Sequence, residues 1–266
     1  MYKIGDAVFK LCLFDTNTLS YIIRDKGRFK KLFEKYPFPD YLYTYSPYIL
    51  YEIGRHRELF EKYIEFFSIF PSLLLKNEVE LFIEEMRTSQ GNYSPSIWAI
   101  SPNSIIGEGS SKTKLKQLFS LVDIDTKFLA LQKDIENNYA VMVEYAEWAK
   151  RYTDSTPKKV IAERIIEVFS ANMIGSWQTN SGLVADITPY LKNEIVNTIS
   201  NAWYMKFVTD KKRNTDINDV VDIYNISALK YCDVYIGERN MVDVISKMQK
   251  QRIHESVIIE RASTYL

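Results

Sequence analysis

Histidine and cysteine are scarce in this chain, at two each among 266 residues. With only His56 and His254, a Ser-His-Asp triad or a histidine-dominated zinc site is not the expectation. Cys12 and Cys232 fall in segments that read as buried elements. They are expected to be small core residues of a reduced, intracellular protein rather than a disulfide or a ligand pair. An excess of charge of either sign is also missing, with 34 Lys+Arg against 34 Asp+Glu. That balance argues against a bulk polycationic binder of nucleic acid and leaves room for a local basic patch. No apolar run is long enough to span a bilayer, and none near the start has the charged flank and cleavage site of a signal peptide. The expectation is a cytoplasmic protein that does not enter a membrane. A phosphate loop of the P-loop type is absent too: Gly107-Glu108-Gly109-Ser110-Ser111 lacks the lysine spacing and the strand context.

Apolar and aromatic residues, by contrast, are plentiful. A hydrophobic share of 46%, with 19 Tyr and 14 Phe, suffices for a sizeable core, and the length does not require two independent domains. Residues 8–15 read as a short apolar strand ending at Asp15. Residues 19–35 have helical spacing and stop before Pro37 and Pro39. A second strand spans 41–45, and a second helical pattern runs over 48–67 with Pro47 suited to its first turn. Strand, helix, strand, helix in succession predicts a parallel sheet with right-handed crossovers. The Ser-, Asn-, Gly- and Pro-rich stretch 88–112 reads as a loop or linker, and 113–208 reads as mostly helical, over 114–121, 126–152, 157–174 and 188–207. The α/β pattern returns at Asp216, with a helix at 218–231, a strand at 233–236, a helix at 240–250 and an edge strand at 257–260. The fold class expected is α/β, split into 1–90 and 216–266 by a mostly helical insertion at 91–215.

Acidic residues recur where strands end and helices begin. Asp15 closes Leu11-Cys12-Leu13-Phe14 and opens the polar turn Asp15-Thr16-Asn17-Thr18. Glu52 lies one turn into the stretch after Tyr43-Thr44-Tyr45-Ser46-Pro47. Asp219 and Asp222 sit three apart at the start of a helical pattern, and Glu238 follows Val234-Tyr235-Ile236-Gly237. In an open α/β sheet such points converge on one edge. Several carboxylates meeting there repel each other unless a divalent cation sits between them, and hard oxygen ligands select Mg2+ or Mn2+. Each acid also has a local alternative. Asp15 can cap the helix that begins near Thr18, worth on the order of 1 kcal/mol. Glu52 can be a solvated helical residue, and Asp219 and Asp222 suit a first helical turn, where each gains about 0.3–1 kcal/mol from the helix dipole.

Three segments carry a family likeness: Leu13-Phe14-Asp15-Thr16-Asn17, Ser46 through Glu52, and Asp219-Val220-Val221-Asp222 through Ala228 followed by Tyr231 to Glu238. Together, over roughly 1–87 and 216–262, they resemble the PIN-like nuclease superfamily. The resemblance implies a three-layer fold, a central parallel sheet flanked by helices, interrupted here by the large helical insertion. It implies catalytic and metal-binding roles for Asp15, Glu52, Asp222 and Glu238, with Asp219 as an additional ligand of Mg2+ or Mn2+. Two departures stand out: Gly237 occupies the position of a hydroxyl residue, and Glu238 replaces the commoner aspartate. Asp233, just before the strand, is either a further acid of the site or a cap of the preceding turn.

The activity implied is that of a metal-dependent phosphodiesterase, an endoribonuclease acting on RNA in preference to DNA. The alternative is a catalytically degenerate domain that binds nucleic acid or a protein. The insertion offers a surface for a protein partner, and a homodimer is compatible with the reading. His56 follows Glu52 by four residues, on the same helical face. Arg55, Arg57 and Arg239 adjoin the proposed centre, and basic clusters occur at 30–31, 112–116, 158–159 and 211–213, each a phosphate contact or a solvated loop. Tyr48, Tyr51 and Trp98 are candidates to stack on unpaired bases, with core packing as their alternative.

Overall fold

The computed structural model describes residues 2–4, 6–69, 72–89, 97–100, 110, 112–114, 116, 124–155, 161–181, 191, 193–209 and 214–265. The apolar run at 11–14 forms the inner half of strand β2 (Ala7–Phe14), and these four residues are fully buried. A strand covered on both faces belongs in the middle of a sheet. Around it lie β1 (Tyr2–Ile4), β3 (Tyr41–Tyr45), β4 (Ser72–Leu75), β5 (Trp98–Ile100), β6 (Val234–Gly237) and β7 (Ile258–Arg261). The strands form a seven-stranded sheet ordered β5-β4-β3-β2-β6-β7, with β1 paired antiparallel to the outer half of β2. Along the order β4-β3-β2-β6-β7 the neighbours run parallel, and β5 lies antiparallel at the edge beside β4. From β2 the chain builds outward to β3 and β4, then returns to add β6 and β7 on the other side. The order therefore reverses between β2 and β6, which creates a topological switch point at their carboxyl ends.

The helices are α1 (Thr16–Arg24), α2 (Lys26–Lys35), α3 (Pro47–Gly54), α4 (Arg57–Ile69), α5 (Glu78–Ser89), α6 (Ile124–Ser155), α7 (Ile161–Ser181), α8 (Glu194–Trp203), α9 (Ile217–Asn225) and α10 (Arg239–Lys250). Each helix expected over 19–35 and 48–67 is in fact a pair. Asp25 adopts extended backbone and its carboxylate accepts from the N–H groups of Gly27 and Arg28. A short acidic side chain that competes for backbone donors in this way ends one helix and starts the next. The second break lies between Gly54 and Arg57. Strand β4 is four residues long, too short to show a period in sequence.

Chain contacts divide the molecule into two units, 1–77 with 96–132 and 228–266, and 78–95 with 133–227. In the first, Cys12, Phe14, Tyr43, Tyr45, Val234 and Ile236 present one face of the sheet to side chains of α1, α3 and α4. The contact is largely aromatic: Phe14 meets Tyr43 and Phe66 at 5.6 and 6.4 Å between ring centroids. Both thiols are buried, and desolvation pushes Cys232 up to about 12 and Cys12 well above its ordinary value. They are free core cysteines, as expected from their context.

The second unit is helical. Phe169 of α7 stacks on Trp203 of α8 with ring centroids 3.9 Å apart, and the Trp203 indole N–H donates to the Met142 carbonyl. Helix α8 runs into a π-helical turn at Tyr204–Val208. Helix α9, expected with the C-terminal α/β elements, groups with this unit. The loop expected at 88–112 and the helix at 114–121 lie mostly outside the described residues. Among the described residues no helix is long and apolar enough to cross a membrane.

The glycine that departs from the family likeness has a packing reason. A Cβ added to Gly237 would stand 2.6 Å from Cζ and from the hydroxyl oxygen of Tyr235, two residues back on the same face of β6. Tyr235 is wholly buried, so its ring has nowhere to go. Gly237→Ala should therefore cost about 1–3 kcal/mol in urea unfolding, as overpacking does. Shortening the ring with Tyr235→Leu in the same chain should make the two losses less than additive. Full additivity would show that the two positions do not compete for space.

Candidate functional site

Asp15 stands at the carboxyl end of β2, at the switch point, with only 5% of its surface exposed. It caps α1: one carboxylate oxygen accepts the Thr18 N–H at 2.6 Å. The other accepts the N–H of Glu238 at 2.5 Å, and the Asp15 N–H donates to the Ile236 carbonyl. The residue therefore combines the local cap with a bridge to the β6–α10 junction. Both carboxylate oxygens thus accept a backbone N–H, one local and one from the far end of the chain.

Glu52 owes its place to α3, which starts where Ser46 Oγ accepts the Ile49 N–H and Pro47 fits the first turn. It lines a cleft of about 200 Å³ with Asn17, Ser20, Arg24, His56 and Tyr63 among its walls. The Tyr63 hydroxyl is hydrogen-bonded to Ser20 at 2.8 Å. Burial chiefly raises the Tyr63 pKa above its ordinary range; the Ser20 bond opposes this, and the charges of Glu52 and Asp15 add to the rise. The phenol is thus protonated at neutral pH, and both carboxylates bear on it. His56 lines the cleft from the break between α3 and α4 rather than from the helical face expected from its spacing to Glu52, because α3 ends at Gly54.

Glu238 is exposed and occupies the N-cap position of α10 without a capping bond from its side chain. It lines a second, open cleft of about 780 Å³ with Tyr21, Arg28, Arg239, Asp243 and Arg261. Asp233 acts elsewhere. Its carboxylate accepts the Leu11 N–H at 3.0 Å and its own N–H donates to the Leu11 carbonyl. It clips the start of β6 to β2, at the opposite end of these strands from Asp15, and has a structural part rather than a place in the site.

Asp219 and Asp222 belong to the second unit, and there they meet a lysine. Lys206 Nζ, in the π-helical turn, lies 2.9 Å from Asp219 Oδ1 and 2.6 Å from Asp222 Oδ2, with its side chain wholly buried. Asp219 also completes a capping box by accepting the Asp216 N–H. The repulsion expected between these two acids is relieved by an internal ammonium. Sequence reasoning missed Lys206; its one signal is a single cation inside the apolar run at 203–208.

Among the described residues no three His, Cys, Asp or Glu side chains form a ready-made metal cage. Tyr48 and Tyr51 are buried, at 3% and 5% exposure, and cannot stack on a base. Tyr21, on the outer face of α1, is 47% exposed, with the Arg28 guanidinium 5.9 Å from its ring centroid. The basic clusters at 158–159 and 211–213, and the side chains of Arg57 and Trp98, lie outside what the structure describes. No protein-family model, no curated protein and no solved structure matches the chain.

Removing one member of a buried ion pair strands the other. Lys206→Met should lower unfolding free energy by about 3–5 kcal/mol at neutral pH, because Asp219 is left buried without its partner. Asp222→Asn should cost clearly less, since 36% of the Asp222 side chain is open to water. Urea unfolding of the three proteins decides it; a near-neutral Lys206→Met would remove the lysine from the unit's stability.

Proposed function

We propose that this chain is a metal-dependent phosphodiesterase of the PIN-like type, an endoribonuclease of the cytoplasm that uses Mg2+ or Mn2+. The observation that carries the reading is the position of Asp15: a nearly buried carboxylate at the switch point, hydrogen-bonded to the Glu238 backbone and bearing with Glu52 on the Tyr63 phenol. The donor chemistry fits the ion. The acids offer hard oxygen ligands, and Mg2+ is commonly held by one or two carboxylates, its remaining positions filled by water and substrate phosphate. Asp15 and Glu52 would hold it, with Glu238 adjoining through its backbone. When bound, such an ion lowers the pKa of a coordinated water and neutralises charge on the attacked phosphate.

The rest falls to the chain itself. The Thr18 and Glu238 N–H groups fix the orientation of Asp15 in advance, so little reorganisation accompanies binding. Arg24 offers a guanidinium to a phosphate entering the cleft, whose wall is set by Tyr63 and Ser20, bonded to each other and, through Tyr63, to the Thr16 carbonyl. A second reading, a module that binds nucleic acid or protein without cutting, is supported by Lys206, an internal cation between two of the acids that the resemblance makes metal ligands.

Purified protein should cleave RNA with Mn2+, and EDTA should stop it. Asp15→Asn should slow cleavage by at least about two orders of magnitude. Mn2+ should raise the wild-type melting temperature by mass action and raise that of Asp15→Asn less. Equal shifts in both proteins would place the ion elsewhere, and an absence of both cleavage and shift would favour the non-cutting module. Glu238→Gln measured beside Glu238→Asp assigns the last acid: loss only in the former identifies a carboxylate that acts by charge and ligation.

A further inference from the structure

We propose that the cleft between α1, α2 and α4 is a subsite for single-stranded nucleic acid, one that seats a base on its apolar floor and phosphates on its cationic rim. Its volume is about 380 Å³, within the roughly 300–1,000 Å³ of small-molecule sites. Ile23, Phe29 and Phe66 form the floor, and Arg24, Lys26, Lys62 and Glu65 surround it. Phe66 braces Phe29 edge-on, with ring centroids 5.3 Å apart. An aromatic floor within a cationic rim suits unpaired bases, because every base has a π-face and every linkage carries a negative charge.

Charge pairing selects this cleft over the larger one beside Glu238. There Arg28 is paired with Asp25, and Arg239 and Arg261 share Asp243, at 3.5, 3.8 and 3.1 Å. Among the described residues, Arg24, Lys26 and Lys62 have no carboxylate within ion-pair distance, and all three are exposed. Three unpaired cations against the single carboxylate of Glu65 are what a phosphate backbone would satisfy. Arg24 also lines the cleft of Glu52 and Tyr63, so one guanidinium joins the two depressions. A strand seated on Phe29 is thereby led toward Asp15 and Glu52. That the neighbouring cleft cuts the strand rests on the proposed phosphodiesterase activity; the binding itself does not.

The test is fluorescence anisotropy in EDTA at low salt with a labelled oligouridylate of about 12 nucleotides, a length within the span of known single-strand sites. Lys26→Glu/Lys62→Glu is compared with Lys247→Glu/Lys250→Glu, an equal charge change on exposed positions of α10. Binding should weaken at least about tenfold in the cleft variant, with a salt slope shallower by about 1–2, and by no more than about twofold in the control. Both variants should melt close to wild type, and Arg24→Gln/Lys62→Gln, without charge reversal, should weaken binding in the same direction. A duplex of equal length should bind wild type more weakly, since its bases are not free to enter the floor. Equal losses in both double variants, no binding by wild type, or a duplex bound as tightly as the single strand would each overturn the subsite. Cleavage with Mn2+ is scored separately. Binding that depends on the cleft without any cleavage would sink the phosphodiesterase reading alone, and cleavage with wild-type binding by the cleft variant would sink the subsite alone.

Discussion

The carboxylate of Asp15 is the fastening on which the first unit's functional edge depends. It accepts one N–H from the start of α1 and another from Glu238, 223 residues along the chain. The first bond ends the central strand and begins a helix. The second ties the returning strand β6 to β2 at the point where the order of strands reverses. Hydrogen bonds to a charged acceptor are roughly twice as strong as neutral ones, and burial keeps water from competing for them. The edge where α/β sheets bind ligands is thus organised around an acid whose orientation is already set.

The chain handles buried negative charge in two different ways. Both carboxylate oxygens of Asp15 accept backbone N–H groups. Asp219 is met by the full charge of Lys206, itself wholly buried in a π-helical turn. The difference matters for chemistry. N–H groups orient a carboxylate without adding an opposite charge, whereas the single ammonium of Lys206 offsets one of the two negative charges of Asp219 and Asp222. The two acids of α9 are therefore suited to holding the second unit together, and those of the first unit to meeting a ligand.

Aromatic packing explains much of the remaining detail. Tyr235 lies along β6 over Gly237 and takes the space a side chain there would need. Tyr48 and Tyr51 are drawn into the core, while Tyr21, on the face of α1 opposite Leu19 and Ile22, stays in water. In sequence the three tyrosines look alike, each within a helical pattern; only the direction of the helix face separates them. The break at Asp25 was similarly hidden, because periodicity on either side continues across it. It is the side chain's bonds to Gly27 and Arg28 that turn the chain.

What the sequence by itself determined is local: the apolar run ending at Asp15, the Ser46-Pro47 helix start, the paired acids at 219 and 222, and the alternation that makes a parallel sheet. Each depends on sterics and hydrogen bonds among residues a few positions apart, which any reader of the chain can trace. Tertiary structure alone decided that Asp15 meets the Glu238 N–H, that Lys206 meets both late acids, and that Arg24 joins two clefts. Those pairings arise when separated segments are packed under the common demand to bury apolar surface and to give each buried charge a partner. That demand acts on the whole fold, and no window of sequence contains it.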